Sequence, residues 1–284
     1  MTAVAAVSRP AARSADPAFR LGVVRVAIYA MWLLVVVPDP LAYLADLAPG
    51  APVGVFRWLP DALVTSAGLG ALKVALVVVL VVCLVGAPGY RVWAVVASAL
   101  LTVQQALLRE YTFVNHEELA LLVCTWVLVL FPAADGCSWP RRAGGSPGSH
   151  ALALEVLTAF FVLPYTLIAA HRLAYAAPDV FTGESLPYWL ASLNSLDRDG
   201  WGVGVWALGH PALVDGLKVG FFVTTVFELL APLCLVSRSF TLVWVAVVAG
   251  FHVVNEFTLN LFFWQNAVLA LLLVGWSRGA RFRR

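Results

Sequence analysis

The sequence predicts an all-α integral membrane protein, a polytopic bundle of about eight transmembrane helices with both termini in the cytoplasm. Three observations carry this. Hydrophobic residues fill 62% of the 284 positions and charged residues only 12%, against about a quarter charged in ordinary soluble domains. Mean hydropathy is +0.89, so the chain lacks the polar surface a water-facing domain needs. Apolar runs approaching the roughly 20 residues that cross a bilayer recur along the chain.

Those runs cover 21–37, 71–85, 92–107, 119–131, 151–170, 219–236, 240–254 and 261–276. Residues 1–20 are rich in Ala and Ser with Arg9 and Arg13, and read as a disordered cytoplasmic lead-in. The first run is long enough to span and no small-residue cleavage site follows it, so it is a helix and not a signal peptide. Pro38 closes it, Pro88 precedes the third, and Pro132 ends the fourth, which is the shortest. The stretch 141–149, rich in Gly and Ser, reads as a linker. Pro164 interrupts the fifth run, where it frees a carbonyl that needs a partner. The sixth carries Glu228 midway, the seventh ends in His252-Val253-Val254-Asn255-Glu256, and the eighth leads into a basic tail over 277–284. The membrane domain is therefore 21–276, with long extracytoplasmic segments at 39–70 and 171–218.

Charge tests this arrangement independently. With both termini inside, 11 of the 18 Lys and Arg residues fall on the cytoplasmic side, among them Arg20, Arg91, Arg141, Arg142, Arg238 and the tail. That satisfies the positive-inside rule at every cytoplasmic loop. Of the 16 Asp and Glu, 12 fall outside. Acidic residues do little to set orientation, so their clustering makes the outer face the place to look for function. The segment 171–218 also holds Tyr175, Tyr188, Trp189, Trp201 and Trp206. Such residues favour the headgroup level, which predicts that this segment lies on the outer leaflet.

Three stretches at outer helix ends carry candidate chemistry: 109–118 with Asn115 and His116, His171-Arg172, and 252–256. His252 and Glu256 stand four apart, on one helix face. Glu155 and Glu228 lie at membrane depth, where an ionisable group costs several kcal/mol unless it is paired or solvated. For Glu155 a snorkelling or capping role stands equal to a functional one; for Glu228 a functional role and a structural ion pair stand equal. His210, beside Pro211, reads as structural. The histidines form no HxH or HxxxH pair, and Cys83, Cys124, Cys137 and Cys234 lack metal-type spacing, so no metal or disulfide framework is expected. A net charge of +2 gives nucleic acid no electrostatic footprint.

At these same stretches the chain resembles the vitamin K-dependent γ-carboxylase-like membrane proteins, the horizontally transferred transmembrane domain superfamily. Asn115-His116, followed by an apolar span and by Phe131-Pro132 to Ser138-Trp139, resembles that family's Asn-His motif and downstream tryptophan. Tyr165 to His171-Arg172-Leu173 resembles its helix ending in a lysine pair. Gly183-Glu184-Ser185-Leu186-Pro187-Tyr188 is similar to its Gly-x-Ser-x-x-Tyr segment, and His252 matches a late helical histidine. The resemblance runs from Arg20 to Trp276.

The resemblance implies a reduced quinone, vitamin K-like, held among the helices and deprotonated by a lysine of the pair with help from the Asn-His histidine. Here His171 and Arg172 stand at the lysine positions. Arginine stays protonated, which leaves His171 or His116 as base, Arg172 to stabilise an oxyanion, and Glu256 to orient His252. Asn115, Tyr165, Glu228 and Asn255 are then the cofactor-binding candidates. The chain, ending at Arg284, is expected to lack the large extracytoplasmic domain that holds peptide substrates, so peptide γ-carboxylation is not expected. Two functions follow: a membrane-embedded enzyme working on a quinone-like lipid, or a non-catalytic partner or maturation factor for a secreted peptide or membrane protein. A transporter is disfavoured by the absence of repeats.

Overall fold

The computed structural model describes residues 16–47, 61–111, 118–139, 144–196, 200–261 and 263–276. Asn115, His116, most of the N-terminal lead-in and the basic tail lie outside these. Among the described residues all regular structure is helical. The chain forms two compact units, Met1–Val156 and Leu157–Arg284.

The first unit opens with α1, Pro17–Val36. Asp16 caps it by accepting from the Ala18 amide at 3.0 Å, and Pro17 supplies a preset φ at the first helical position. The helix thus starts three residues before the expected end of the disordered lead-in. The next long helix is α2, Ser66–Val85, capped by Thr65 Oγ1, which accepts from the Gly68 amide at 3.1 Å. Then come α3, Tyr90–Tyr111, and α4, Leu119–Leu130. Trp32 on α1 donates to Thr125 Oγ1 on α4 at 2.8 Å, and Trp126 on α4 donates to Thr102 Oγ1 on α3 at 3.1 Å. Polar groups within these apolar helices thus find partners on neighbouring helices, as burial away from water requires.

How α2 ends shows why the loops of this unit lie where they do. Its last carbonyls have no partner within the helix. Gly86, left-handed at φ 68°, lets its own amide reach Cys83 O and the Ala87 amide reach Val82 O, both at 3.2 Å. Arg25 from α1 donates to Cys83 O, to Leu84 O at 2.8 Å and to Cys137 O at 2.5 Å. The Trp139 amide takes Val85 O at 3.0 Å. Every carbonyl of the last turn is satisfied, and one buried guanidinium ties α1, α2 and the 131–139 loop together.

The boundary between the units falls inside α5, Pro147–His171. In the second unit α5 runs into a wider, π-type turn at Arg172–Ala176. The connection that follows carries α6, Ser185–Leu196, and a short helix, Val203–Leu208. Then come α7, Pro211–Leu229, α8, Arg238–Leu259, and α9, Trp264–Leu269, which continues as a wider-turned helix to Trp276. Ser237 caps α8, and Asn260, left-handed at φ 53°, ends it. Leu186 and Leu190 of α6 pack on Leu259, so this long connection has a small core of its own.

Among the described residues, five helices are long and apolar enough to cross a membrane: Pro17–Val36, Ser66–Val85, Tyr90–Arg109, Pro147–Ala176 and Arg238–Leu259. Leu119–Leu130 and Trp264–Trp276 are apolar but shorter. The run expected at 219–236 is divided. α7 starts earlier, with Pro211 at its first position, and stops at Leu229, before the 3-10 turn Ala231–Leu235. Pro232 explains the break, since it has no N–H to give a carbonyl four residues back. Leu34, Val78, Leu130, Leu167 and Val219 all point outward, an apolar exterior that suits lipid and not water.

Candidate functional site

The second unit gathers most of the candidate residues. Tyr165 on α5 and His252 on α8 are both buried, and Tyr165 Oη lies 3.3 Å from His252 Nε2. Aromatic rings enclose them. Phe161 and Trp244 sit edge-on to Tyr165 at 5.4 and 5.3 Å, and Phe263 sits edge-on to His252 at 5.6 Å. Trp244 is fixed in turn by donating Nε1 to Phe227 O at 3.0 Å. A phenol and an imidazole in hydrogen-bond contact can pass a proton without water, and the apolar wall strengthens that contact.

Close by in sequence, Arg172 occupies the wider turn that ends α5. Its Nη1 donates to Glu228 Oε2 at 2.6 Å and to Thr225 Oγ1 at 2.7 Å, and the guanidinium lies 4.6 Å over the Phe221 ring. Thr166 Oγ1 reaches the Glu228 carbonyl at 3.4 Å. Glu228 is 3% exposed, so its partner is what allows it to stay charged there. Of the two readings left open for Glu228, the geometry supports the ion pair, and Arg172 is committed to it.

The other candidates separate. His171 is exposed, and its ring tilts against Tyr175 at 4.8 Å. Glu256 accepts from Trp201 Nε1 at 3.1 Å, while His252 on the same helix meets Tyr165. Asn255 is buried on α8. One turn on, Asn260 Oδ1 accepts from the Trp201 amide at 3.2 Å and Asn260 Nδ2 donates to Asn194 Oδ1 at 3.3 Å. Asn194 Nδ2 donates to Thr258 O at 2.8 Å. This asparagine network pins α6 and the Trp201 loop to the end of α8.

The first unit holds a polar cluster that sequence reasoning missed. Gln104 and Gln105, both buried in α3, meet Asp39 and Arg109 respectively: Gln104 Nε2 donates to Asp39 Oδ2 at 3.3 Å, and Arg109 Nη1 donates to Gln105 Oε1 at 2.7 Å. Lys73 Nζ donates to Asp39 O at 2.6 Å. Burial raises the Asp39 carboxyl above its usual value, against the pull of Gln104 and Lys73. Burial also raises Glu118; its own backbone amide and Arg109 work against the shift, and the charge of Asp39 adds to it. Adjacent glutamines in an apolar run were the available signal, since buried amides need partners. α3 leads from this cluster into 112–117, where Asn115 and His116 stand.

At the other end of the first unit Asp135 and His150 form a clasp. Asp135 Oδ2 accepts from the Gly145 amide at 2.7 Å and the Gly144 amide at 3.3 Å, and lies 2.9 Å from His150 Nε2. Partial burial pushes this carboxyl up, but the Gly145 amide, His150 and the Gly144 amide outweigh it and hold it below its usual value.

Comparison with known proteins gives no relative: no protein-family model, no curated protein and no solved structure matches the chain.

Proposed function

We propose that the chain is a multi-pass protein of the cell membrane, with about eight spans and both termini cytoplasmic, that handles a quinone-like lipid at the Tyr165–His252 pair. The observation that carries this is the 3.3 Å contact between Tyr165 Oη and His252 Nε2 inside an aromatic enclosure. The donor set fits such a ligand, since a quinone needs aromatic surface for its ring and hydrogen-bonding groups at its oxygens. When bound, a quinone supplies reversible electron chemistry coupled to protons. His252 Nε2 and Tyr165 Oη hold and relay the proton, while Arg172 and Glu228 fix the ends of α5 and α7 beside them. The likeness of these stretches to the γ-carboxylase-like family supports the same reading, and Asn115 and His116 are its further candidates.

The orientation rests on the distribution of arginines, and the eight spans count the short apolar helices Leu119–Leu130 and Trp264–Trp276 together with α7. A reporter fused after Arg284 tests the first point; a periplasmic or extracellular signal there overturns it. Mass spectrometry of lipids retained by the purified protein tests the ligand. A quinone present at about one per chain and lost in His252→Ala supports the site, and a wild type with none, drawn from quinone-containing membranes, sinks it.

A second reading, a non-catalytic partner for a secreted peptide or another membrane protein, draws on one observation. Tyr175, Tyr188, Trp201 and Trp206 are all well exposed along the connection between α5 and α7, and exposed aromatics are what interfaces use. Swapping that connection while leaving Tyr165 and His252 in place separates the two.

A further inference from the structure

Outside the site just described, the first unit has an open cleft of about 320 Å³ at the start of α3. Its lining is mixed in a specific way. Arg91 brings a cation, Asp135 an anion, and Val92, Phe131 and Pro132 an apolar floor. The charges differ in how they are held. Arg91 is exposed, free to swing onto an anion. Asp135 is fixed, because the Gly144 and Gly145 amides and His150 all act on Oδ2, which leaves Oδ1 as its second acceptor. Those same contacts keep the carboxyl below its usual value and so ionised.

We propose that this cleft binds the headgroup of a bilayer phospholipid bearing a primary ammonium, of the phosphoethanolamine type. The ligand must carry an anion for Arg91 and a hydrogen-bonding cation for Asp135 on one short polar stem. It must also continue into something apolar, because the cleft opens beside Val92, Trp93 and Val95, which point outward from α3. A phosphoethanolamine headgroup on diacylglycerol has that order of groups. The phosphate meets Arg91 and the first turn of α3, where the helix dipole favours an anion, and the ammonium meets Asp135 Oδ1. The acyl chains then follow the exposed face of α3. A soluble zwitterion satisfies the charges but leaves that apolar face without a partner.

Native mass spectrometry of the full-length protein, titrated in one detergent with dioleoyl lipids carrying ethanolamine, choline or glycerol headgroups, tests this. Choline keeps the phosphate but has no N–H to donate, and glycerol has no cation. One ethanolamine lipid per chain is expected, held about tenfold more tightly than either, the factor one charge-assisted hydrogen bond confers. Asp135→Asn should erase that preference, whereas Arg91→Gln should weaken all three lipids alike, since each carries the phosphate. Asp135→Asn also disturbs the 144–145 clasp, so a melting curve accompanies it, and Arg91→Gln, at an exposed position, tests the phosphate contact separately through the loss of overall affinity. Equal binding of the three headgroups, an ethanolamine preference that survives Asp135→Asn, or unchanged affinity for all three in Arg91→Gln overturns the proposal.

Discussion

Arg172 Nη1 stands 2.6 Å from Glu228 Oε2 and 2.7 Å from Thr225 Oγ1, with its guanidinium over Phe221. The pair joins the turn after α5 to the last turn of α7, where neither charge can be withdrawn alone. Arg172→Ala strands a buried carboxylate and should cost about 3–5 kcal/mol, whereas Arg172→Met with Glu228→Leu removes both charges and should recover most of it. Thermal unfolding of the two variants beside the wild type in one detergent reads the difference. An Arg172→Ala variant that melts with the wild type would show the ion pair to be idle.

Arg25 in the first unit gives a second stability test of a different kind. Its work is to satisfy carbonyls and not to neutralise a charge. Arg25→Met removes the side-chain donor from Leu84 O and Cys137 O, an expected loss of about 2–6 kcal/mol at 1–3 per carbonyl. Arg25→Lys should recover only part, because a single ammonium lacks the planar fork that reaches three carbonyls at once. Full recovery by lysine in the melt would mean that charge alone matters there.

Asp135 and Asp39 should respond to pH with opposite signs. Asp135 sits below its usual value in the folded chain. Its contribution is present above the ordinary aspartate range and is lost as pH falls below about 4. Exchange of the Gly144 and Gly145 amides should speed up over that window, and Asp135→Asn should flatten the response. Asp39 sits above its usual value because of burial. Its folded form favours the proton, so that stabilisation is present at low pH and lost as pH rises through its folded value. Asp39→Asn should therefore raise the melting temperature at neutral pH, and the gain should vanish in acid. A pH-independent difference for either variant would show that titration is not the cause.

What the sequence revealed and what it hid follow one physical division. Apolar run length is a local property, so α1, α2, α3, α5 and α8 are legible within a few residues. Local chemistry also fixes the helix ends that differ from expectation: Asp16-Pro17 starts α1 early, Pro211 starts α7 early, and Pro232 breaks the sixth run. The partners of polar groups depend on which helices meet, and sequence spacing misleads there. His252 and Glu256 share a helical face, yet one meets Tyr165 and the other Trp201. His171 and Arg172 are neighbours, yet one lies exposed against Tyr175 and the other reaches Glu228. Gln104 and Gln105 passed as part of an apolar run until Asp39 and Arg109 proved to be their partners.

The Tyr165–His252 contact sets the test of the proposed chemistry. Tyr165→Phe keeps the edge-on packing on Phe161 and Trp244 and deletes only the hydroxyl. It should cost about 1 kcal/mol, the net worth of one hydrogen bond, so the fold survives. If the pair holds a quinone and moves its proton, that variant should lose the retained quinone, or keep it and lose its turnover. His252→Ala should lose both and melt lower, because it also empties a buried ring site. His171→Ala, at an exposed position, should match the wild type in melt and in quinone content. Quinone content by mass spectrometry, measured beside the melting curve, checks all three. Retention by Tyr165→Phe with unchanged turnover would make the pair a packing contact, and loss by His171→Ala would move the chemistry to the exposed end of α5.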